Sequence, residues 1–310
     1  MGEWLESLVP WGTEVLVKIQ SYTPEWLVIV FVGFTFLGYE EFYLLVLPLI
    51  FWCVDRQIGV RLGFISLFSA WLNSVFKYLF AIPRPSDPRL NVPYPETSPS
   101  FPSGHAQNAV VNWGYLAYSF RKPIFTIVAV VIILGISLSR MVLGVHFPQD
   151  VIGGGLIGLV LLVVFIWAEP PASRWLGAQS RVVQATLAVA GPLILIFLHP
   201  ADTEGYYPAS GSLTPMSAIA GFAVGLVMEQ AWVRFRVEGE WWRRGLRLLL
   251  GLVVVAIFYA SPRFLLPEDM AYGLEAALRF VRYALVGWSV AFLCPWLFVR
   301  LRLAEGDGGR

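Results

Sequence analysis

The chain has 310 residues, of which 57% are apolar and only 14% are charged, and its mean hydropathy is +0.67. This composition excludes an ordinary soluble enzyme of this length and predicts a membrane protein that crosses the bilayer several times. The formal net charge is +1, and no basic run or ladder of basic and aromatic residues is present. We therefore expect no nucleic acid partner.

The first 24 residues are predicted to form a helix that lies along the membrane surface. Trp4, Leu5, Leu8 and Trp11 recur at a spacing that places apolar side chains on one side of such a helix. The segment has neither a basic start nor a small-residue cleavage site, so we expect no removable signal peptide.

Apolar runs of roughly 20 residues, the length that crosses ~30 Å of hydrocarbon, occur nine times along the chain. They lie near residues 26–52, 59–80, 104–120, 123–143, 149–168, 182–199, 213–233, 246–261 and 280–299. Gly38, Glu40 and Glu41 interrupt the first run, which is either one long helix with a polar notch or two half-helices. The predicted fold class is therefore all-α: a polytopic bundle of about nine transmembrane helices.

Basic residues favour cytosolic loops, so their distribution predicts the orientation of the chain. With the N-terminus outside, 14 of the 22 Lys and Arg residues fall on the cytosolic side, and the C-terminus is cytosolic. The loop that contains Arg84 and Pro102 then faces the opposite, non-cytosolic side, as does the end of the fourth run. That side is the periplasm or exterior in a bacterium and the lumen in a eukaryote.

A lysine and an arginine lie at the outer end of the second run. Lys77 falls within the predicted helix, and Pro83 cannot continue that helix. The step of seven residues from Lys77 to Arg84 corresponds to about two helical turns, so both cations can lie on one face. Taken alone, the same pattern fits equally well with two side chains that snorkel towards the membrane surface.

The tetrapeptide Pro102-Ser103-Gly104-His105 comes directly before the third run. Ser103 suits an N-cap, and the free amides behind it, with the positive end of the helix dipole, form a site for an anion. His105 then lies in the first turn, where it could protonate a departing alkoxide. The tetrapeptide by itself also fits ordinary turn punctuation.

Ser139 and Arg140 end the fourth run, and His146 and Asp150 begin the fifth. The short hairpin between the two runs brings Arg140 and His146 together. The spacing of four residues places His146 and Asp150 on one helix face, where the carboxylate can orient the ring and leave one nitrogen as a nucleophile. The alternative is a His and an Asp that merely cap the helix.

Together, the three pieces place two of the three histidines, three cations and a carboxylate at outer helix ends. This set complements a phosphate dianion, and its cations would stabilise the extra charge of a phosphoryl-transfer transition state. Because the simpler explanations would all have to hold at once, the combination favours a phosphatase with a histidine nucleophile.

The same residues resemble the tripartite signature of the type 2 phosphatidic acid phosphatase and vanadium haloperoxidase superfamily. Its three parts are Lys77-x6-Arg84-Pro85, Pro102-Ser103-Gly104-His105 and Ser139-Arg140-x5-His146-x3-Asp150. The resemblance implies that the phosphate is held by Lys77, Arg84, Ser103, Gly104 and Arg140. It implies that His146 attacks phosphorus, that His105 is general acid and then base, and that Asp150 orients His146. Neither a metal nor a cofactor is implied, and water hydrolyses a phosphohistidine intermediate.

The resemblance leaves the substrate open. A lipid phosphate or pyrophosphate monoester of the outer leaflet is the leading expectation, because the predicted site lies at headgroup depth. A soluble ester such as glucose 6-phosphate is an alternative, since Trp71-Leu72-Asn73 and residues 34–38 partly resemble the glucose-6-phosphatase branch. A protein that only binds or transports phosphorylated lipids is the non-enzymatic alternative, although binding alone does not need His146 and Asp150.

Three regions are predicted along the chain: the surface helix at 1–24, the phosphatase core at 25–170 and the remaining spans at 171–310. The third region carries no recognised motif, and its glycine and proline breaks are compatible with close helix packing or with a lateral opening. We interpret it as scaffold or as the surface of a possible homodimer, with membrane lipids around it.

Overall fold

The computed structural model describes residues 2–260 and 271–307. This part of the chain is helical apart from turns, loops and one isolated β-bridge between Phe235 and Gly306. The predicted all-α fold class is therefore confirmed. Arg263 and Arg310, which entered the count of basic residues, and residue 261 of the eighth predicted span lie outside the described residues.

The helices follow one another through short turns and a few longer loops. The α-helices are α1 (Gly2–Ser7), α2 (Val9–Tyr22), α3 (Glu25–Phe36), α4 (Glu40–Leu49), α5 (Arg56–Phe80), α6 (Gly104–Phe120), α7 (Pro123–Val142), α8 (Pro148–Gly177), α9 (Arg181–Leu198), α10 (Ser210–Trp232), α11 (Trp241–Ala260), α12 (Tyr272–Trp288) and α13 (Cys294–Arg300). Two π-helical segments, Ile50–Val54 and Ser289–Leu293, continue α4 and α12.

Six helical stretches in the described residues are long and apolar enough to cross a membrane. They are α5, α7, α8, α9, α10 and the stretch Tyr272–Arg300, which comprises α12 and α13. A seventh span results if the pair Gly2–Tyr22 and Glu25–Phe36, bent by 120°, is one broken span. The chain is thus a multi-pass integral membrane protein, whereas the nine spans and the outer N-terminus stay predictions.

Three of the predicted spans, at residues 26–52, 104–120 and 246–261, are not among these six helices, and each has a local feature that explains why. α3 ends at Phe36 and α4 begins at Glu40, so the first run forms two half-helices. α6 has only 17 residues, and its sequence includes buried polar side chains at Gln107 and Asn112. α11 carries three arginines in its first two turns. Charged and polar groups of this kind are costly in hydrocarbon.

The described helices form two compact units. The first comprises Met1–Tyr43 and Leu72–Ala168, and the second comprises Leu44–Trp71 and Glu169–Arg310. α4, α5 and α8 each contribute residues to both units.

Glycines of α8 allow it to approach the start of α6 within the first unit. A Cβ on Gly154 would lie 2.4 Å from the backbone oxygen of Ser103, and one on Gly158 would lie 2.6 Å from the backbone oxygen of Gln107. Any larger residue at either position would push the two helices apart. This close approach places the N-terminus of α6 next to the first turn of α8.

The second unit is built around aromatic side chains. Its buried core includes Phe51, Trp52, Phe222, Phe235 and Phe298, whose rings meet edge to face or tilted. Such ring pairs are favourable beyond the apolar area that they bury. All eight residues predicted for the active site belong to the first unit and not to this one.

Candidate active site

The eight residues predicted for the site come together at the ends of four consecutive helices of the first unit. The elements that carry them are the last turn of α5 (Lys77), the loop before α6 (Arg84), the start of α6 (Ser103, Gly104 and His105), the last turn of α7 (Arg140), the turn before α8 (His146) and the first turn of α8 (Asp150).

Two local predictions about these elements are corrected by the structure. α5 ends at Phe80, so Arg84 lies in the following loop and not on a helix face shared with Lys77. α8 begins at Pro148, so His146 lies in the turn before the helix and not on it. Lys77 and Arg84 meet through a shared partner, Ser98, whereas His146 contacts Asp150 directly. Helical periodicity brings neither pair together.

His146 and Asp150 form a buried pair, with side-chain exposures of 1% and 0%. His146 Nδ1 lies 3.3 Å from Asp150 Oδ2, where the ring can donate its Nδ1 proton to the carboxylate. The same oxygen accepts hydrogen bonds from Ser100 Oγ at 2.5 Å and from the Phe147 amide at 2.8 Å. Asp150 is therefore held in place, and it leaves His146 Nε2 as the unprotonated ring nitrogen.

The second ring nitrogen of His146 faces a cation. Its Nε2 accepts a hydrogen bond from Arg84 Nη1 at 3.1 Å. The pKa of His146 lies well below its ordinary value of 6.5, first because the ring is buried and then because of the charge of Arg84. Both effects disfavour the protonated ring. His146 is consequently neutral at neutral pH, which is the state that a nucleophile requires.

The lowered pKa of His146 predicts the acid side of the pH profile. Neutral His146 is lost only as the pH falls through this lowered pKa, so any catalysis that uses this ring should persist below pH 6.5. We expect the acid limb of kcat/KM for an aryl phosphate, corrected for the ionisation of the substrate, to have its midpoint below that value. Recovery of activity on return to neutral pH is the control against acid unfolding. A midpoint at or above pH 6.5 would contradict a neutral, buried His146.

Ser98, in the loop before α6, connects the first two predicted cations. Lys77 Nζ donates to Ser98 Oγ at 2.8 Å and to the Pro99 carbonyl at 2.7 Å. Arg84 donates from Nε to the Ser98 carbonyl at 2.7 Å and from Nη1 to the Val145 carbonyl at 2.8 Å. Because hydroxyl and carbonyl oxygens carry no net charge, these contacts orient both cations without neutralising them.

Two buried nitrogen atoms of the site have no hydrogen-bond partner among the described residues. They are Nε of Arg140, whose side chain is 1% exposed, and Nε2 of His105. Arg140 donates from Nη1 to Thr35 Oγ1 at 2.5 Å, so its guanidinium is satisfied only in part. Buried polar atoms without partners are uncommon in native proteins. Each of these two atoms can form a further hydrogen bond to a polar ligand.

The start of α6 adds backbone amides to the site. Ser103 is its N-cap, with Oγ accepting from the Ala106 amide at 3.5 Å, and the Ser103 amide donates to the Asp150 carbonyl at 3.0 Å. The first-turn amides of Gly104 and His105 lie outside the ladder of helical hydrogen bonds. The positive end of α6 therefore lies directly beside Asp150, where it can attract an anion.

The break in the first apolar run makes room for His105. α3 and α4 are separated at residues 37–39, and a Cβ on Gly38 would lie 2.6 Å from His105 Cδ2. The Tyr39 ring meets the imidazole of His105 edge-on, with ring centres 5.0 Å apart. Of the two alternatives for this run, the pair of half-helices is thus the one that the structure contains.

Sequence reasoning missed the polar residues that hold the site together. They are Thr35, Asn73, Glu96, Ser98 and Ser100. A signal existed for Glu96, because only Asp87 and Glu96 are acidic between α5 and α6. Clustered arginines in a partly buried site need a compensating negative charge. That requirement would have drawn attention to this loop.

These features define a class of protein: a multi-pass membrane protein with a candidate phosphoryl-transfer site at its helix ends. Residues 58–174 match the PAP2 superfamily, and residues 213–306 match the transmembrane extension of PAP2 superfamily phosphatases. The chain belongs to the PAP2 superfamily. The resemblance of the tripartite signature is thereby confirmed, and the second match covers much of the region in which no motif was recognised.

Individual relatives show the same membership. The chain is 30% identical to a dihydrosphingosine 1-phosphate phosphatase of Schizosaccharomyces pombe over 244 residues, which cover 73% of this chain and 58% of that protein. It is 34% identical to phosphatidylglycerophosphatase B of Bacillus subtilis over 149 residues, which cover 44% of this chain and 72% of that protein.

The crystal structure of a PAP2-type phosphatidylglycerolphosphate phosphatase from Bacillus subtilis aligns with a TM-score of 0.46 and 29% identity, over 53% of this chain and 87% of that chain. The chain spans 52% to 58% of the length of three curated relatives that it matches.

Proposed function

We propose that the chain is a membrane phosphatase that hydrolyses the phosphate monoester of a lipid through a phosphohistidine intermediate. The observation that carries this proposal is the orientation of His146, whose Nδ1 faces Asp150 while its Nε2 faces Arg84. Binding alone would need cations, but not a buried histidine with a fixed, unprotonated nitrogen among them. The two relatives named above, which carry the names of lipid phosphate phosphatases, support this substrate class.

In the first proposed step, the phosphate dianion binds among the three cations and the amides at the start of α6. His146 Nε2 forms a bond to phosphorus while the bond between phosphorus and the ester oxygen breaks. His105 takes up a proton as the phosphate dianion binds beside it and gives that proton to the ester oxygen, so the product leaves as an alcohol. Asp150 stabilises the positive charge that develops on the His146 ring.

In the second proposed step, water attacks the phosphohistidine, and neutral His105 takes up the proton that the water loses. The bond between phosphorus and His146 Nε2 breaks, inorganic phosphate leaves, and both histidines return to their starting states. Lys77, Arg84 and Arg140 compensate for the charge that spreads over the equatorial oxygens in both transition states.

A lipid substrate suits a site at the ends of membrane-spanning helices. Lys77 lies in the last turn of α5 and Arg140 in the last turn of α7, and both helices are long and apolar enough to span. A phosphate bound there lies near the depth of lipid headgroups, and its acyl chains can stay in the bilayer. The distribution of basic residues in the loops supports a site on the non-cytosolic face.

Phosphate release by the purified chain in detergent tests the proposed activity. The panel comprises phosphatidic acid, phosphatidylglycerol phosphate, sphingosine phosphate, undecaprenyl pyrophosphate and glucose 6-phosphate, each with and without a chelator. We expect release from at least one lipid to exceed release from glucose 6-phosphate, with no loss in the chelator, because the proposed chemistry uses side chains of the chain itself.

The other outcomes of this panel are equally informative. A preference for glucose 6-phosphate would indicate that the substrates are soluble phosphate esters and not lipids. No release from any ester would favour a protein that only binds phosphorylated lipids. Loss of activity in the chelator would contradict the proposed mechanism and require a metal.

Vanadate provides an independent test of the site. Because it adopts the five-coordinate geometry of a phosphoryl-transfer transition state, vanadate should inhibit competitively with the substrate. Sulfate at equal ionic strength is the control for a general anion effect. Inhibition that is not relieved by substrate would place the vanadate outside the candidate site.

A further inference from the structure

Glu96 joins two of the cations of the candidate site. Its Oε2 accepts a hydrogen bond from Arg84 Nη2 at 2.6 Å, and its Oε1 forms an ion pair with Arg140 Nη2. Glu96 lies in the loop between α5 and α6, and 29% of its side chain is exposed. One carboxylate therefore connects an arginine of the first signature part with the arginine of the third.

The negative charge of Glu96 is favourable in this position. Burial raises the pKa of its carboxyl group, but the charges of Arg140 and Arg84 outweigh burial and hold the pKa of Glu96 below its ordinary value. The group is thus a carboxylate at neutral pH. Arg140 would otherwise be a buried charge beside further cations, which is strongly unfavourable when nothing compensates for it.

The contacts of Glu96 leave part of Arg140 open to a ligand. Glu96 occupies Nη2 and Thr35 occupies Nη1, while Nε has no partner among the residues that the structure describes. A planar guanidinium that is held at both terminal nitrogens cannot rotate, so the direction of its Nε–H bond is fixed. Glu96 therefore aligns this donor without blocking it.

The loop around Glu96 is itself attached to the site at further points. Ser98 Oγ accepts a hydrogen bond from Arg84 Nη2 at 3.1 Å, and Ser100 Oγ donates to Asp150 Oδ2 at 2.5 Å. A carboxylate on a loop that is fixed in this way can keep its position when a phosphate enters. Such preorganisation raises the rate because the cations need not be rearranged during the reaction.

We propose that Glu96 is a positioning residue that holds Arg84 and Arg140 as a preformed pair for the phosphate. This inference rests on the proposed function, because it concerns the site that would bind the phosphate of the substrate. Without the carboxylate, the two guanidinium groups repel each other, and the phosphate has to bring them together as it binds. Both binding and turnover then weaken.

Glu96→Gln tests this role, because it removes the charge and keeps the size of the side chain. Asp87→Asn is the matched control, since Asp87 lies in the same loop but pairs with the exposed Arg89. We expect Glu96→Gln to lower kcat/KM by about 10- to 100-fold and to raise the vanadate inhibition constant by a similar factor. The control should change neither quantity. The thermal stabilisation of the purified protein by vanadate, which needs no turnover, should weaken in parallel.

Glu96→Asp keeps the proposal testable if the glutamine variant does not fold. It retains the charge but withdraws the carboxylate by one methylene, so the carboxylate can no longer reach both arginines. We expect weaker stabilisation by vanadate than in the unmodified protein, with a thermal midpoint in the absence of vanadate close to that of the unmodified protein.

Several outcomes would overturn the positioning role. Unchanged vanadate binding in both Glu96 variants would show that the carboxylate does not align the arginines. Tighter vanadate binding would make Glu96 a competitor of the phosphate. A loss confined to substrates with an amine beside the phosphate would make it a substrate-recognition group.

The positioning role and the proposed function fail in different ways. If the unmodified protein hydrolyses no ester but binds vanadate in a manner that depends on Glu96, the proposed function fails and the positioning role stands. If hydrolysis proceeds and Glu96→Gln has no effect on it or on vanadate binding, the positioning role fails alone.

Discussion

Replacement of His146 by alanine is expected to lower phosphate release by on the order of 10³-fold or more. The variant removes the nitrogen that the proposed chemistry joins to phosphorus. It leaves Lys77, Arg84 and Arg140 in place, so inorganic phosphate, which needs only these cations, should still stabilise the protein against heat. Hydrolysis of the ester and thermal stabilisation by added inorganic phosphate, measured on the same preparation, would separate lost chemistry from lost binding.

Two further variants serve as controls for this experiment. His146→Asn fills more of the buried space than alanine, which matters because the side chain is only 1% exposed and a cavity is destabilising. His199, the third histidine, follows α9 in the second unit, and His199→Gln should leave the turnover rate unchanged. Residual activity above a few per cent in both His146 variants would assign the attack on phosphorus to another group.

Replacement of His105 by alanine is expected to lower turnover by about 10²- to 10⁴-fold and to trap the phosphohistidine. His105 Nε2, buried and without a partner among the described residues, is the proton donor of the first proposed step and the base of the second. An ester with a good leaving group, such as p-nitrophenyl phosphate, needs little proton donation. The first step should then proceed while the second stays slow, with a burst of p-nitrophenol.

The trapped intermediate can be identified by its chemistry. Radiolabelled phosphate on the His105→Ala protein should be released by acid and retained in alkali, as expected for a bond between phosphorus and nitrogen. The label should be absent from the double variant that carries both His105→Ala and His146→Ala. If the double variant carried the same label, a group other than His146 would be the nucleophile. If His105→Ala kept full activity and showed no burst, His105 would not take part in proton transfer.

Local sequence signals predict the candidate site well wherever the end of a helix determines the geometry. Ser103 before an apolar run indicates an N-cap, and the structure has that cap. The spacing of His146 and Asp150 indicates a contact, which the structure contains although only Asp150 lies on the helix. These features depend on a few neighbouring residues, so periodicity and capping rules are enough to predict them.

Contacts between distant segments could not be predicted in this way. Glu96 reaches Arg140 only because the loop at residues 81–103 folds across the helix ends, and the course of a loop follows from no periodicity. The number of membrane spans could not be predicted from local signals either. Hydropathy measures how apolar a run of residues is, but it does not show whether the run forms one continuous helix. The first run is broken near Gly38, which makes room for the side chain of His105 from α6.

A phosphate cage made of three cations and the first amides of α6 can recognise only the terminal oxygens of its ligand. Those oxygens are the same in a sphingoid, a glycerolipid and a sugar phosphate, so the cage cannot discriminate among the alcohols to which the phosphate is bound. Selectivity must then reside in the surfaces that meet the alcohol. In such an architecture, substitutions outside the cage can redirect the protein to a new ester while Lys77, Arg84 and Arg140 stay unchanged.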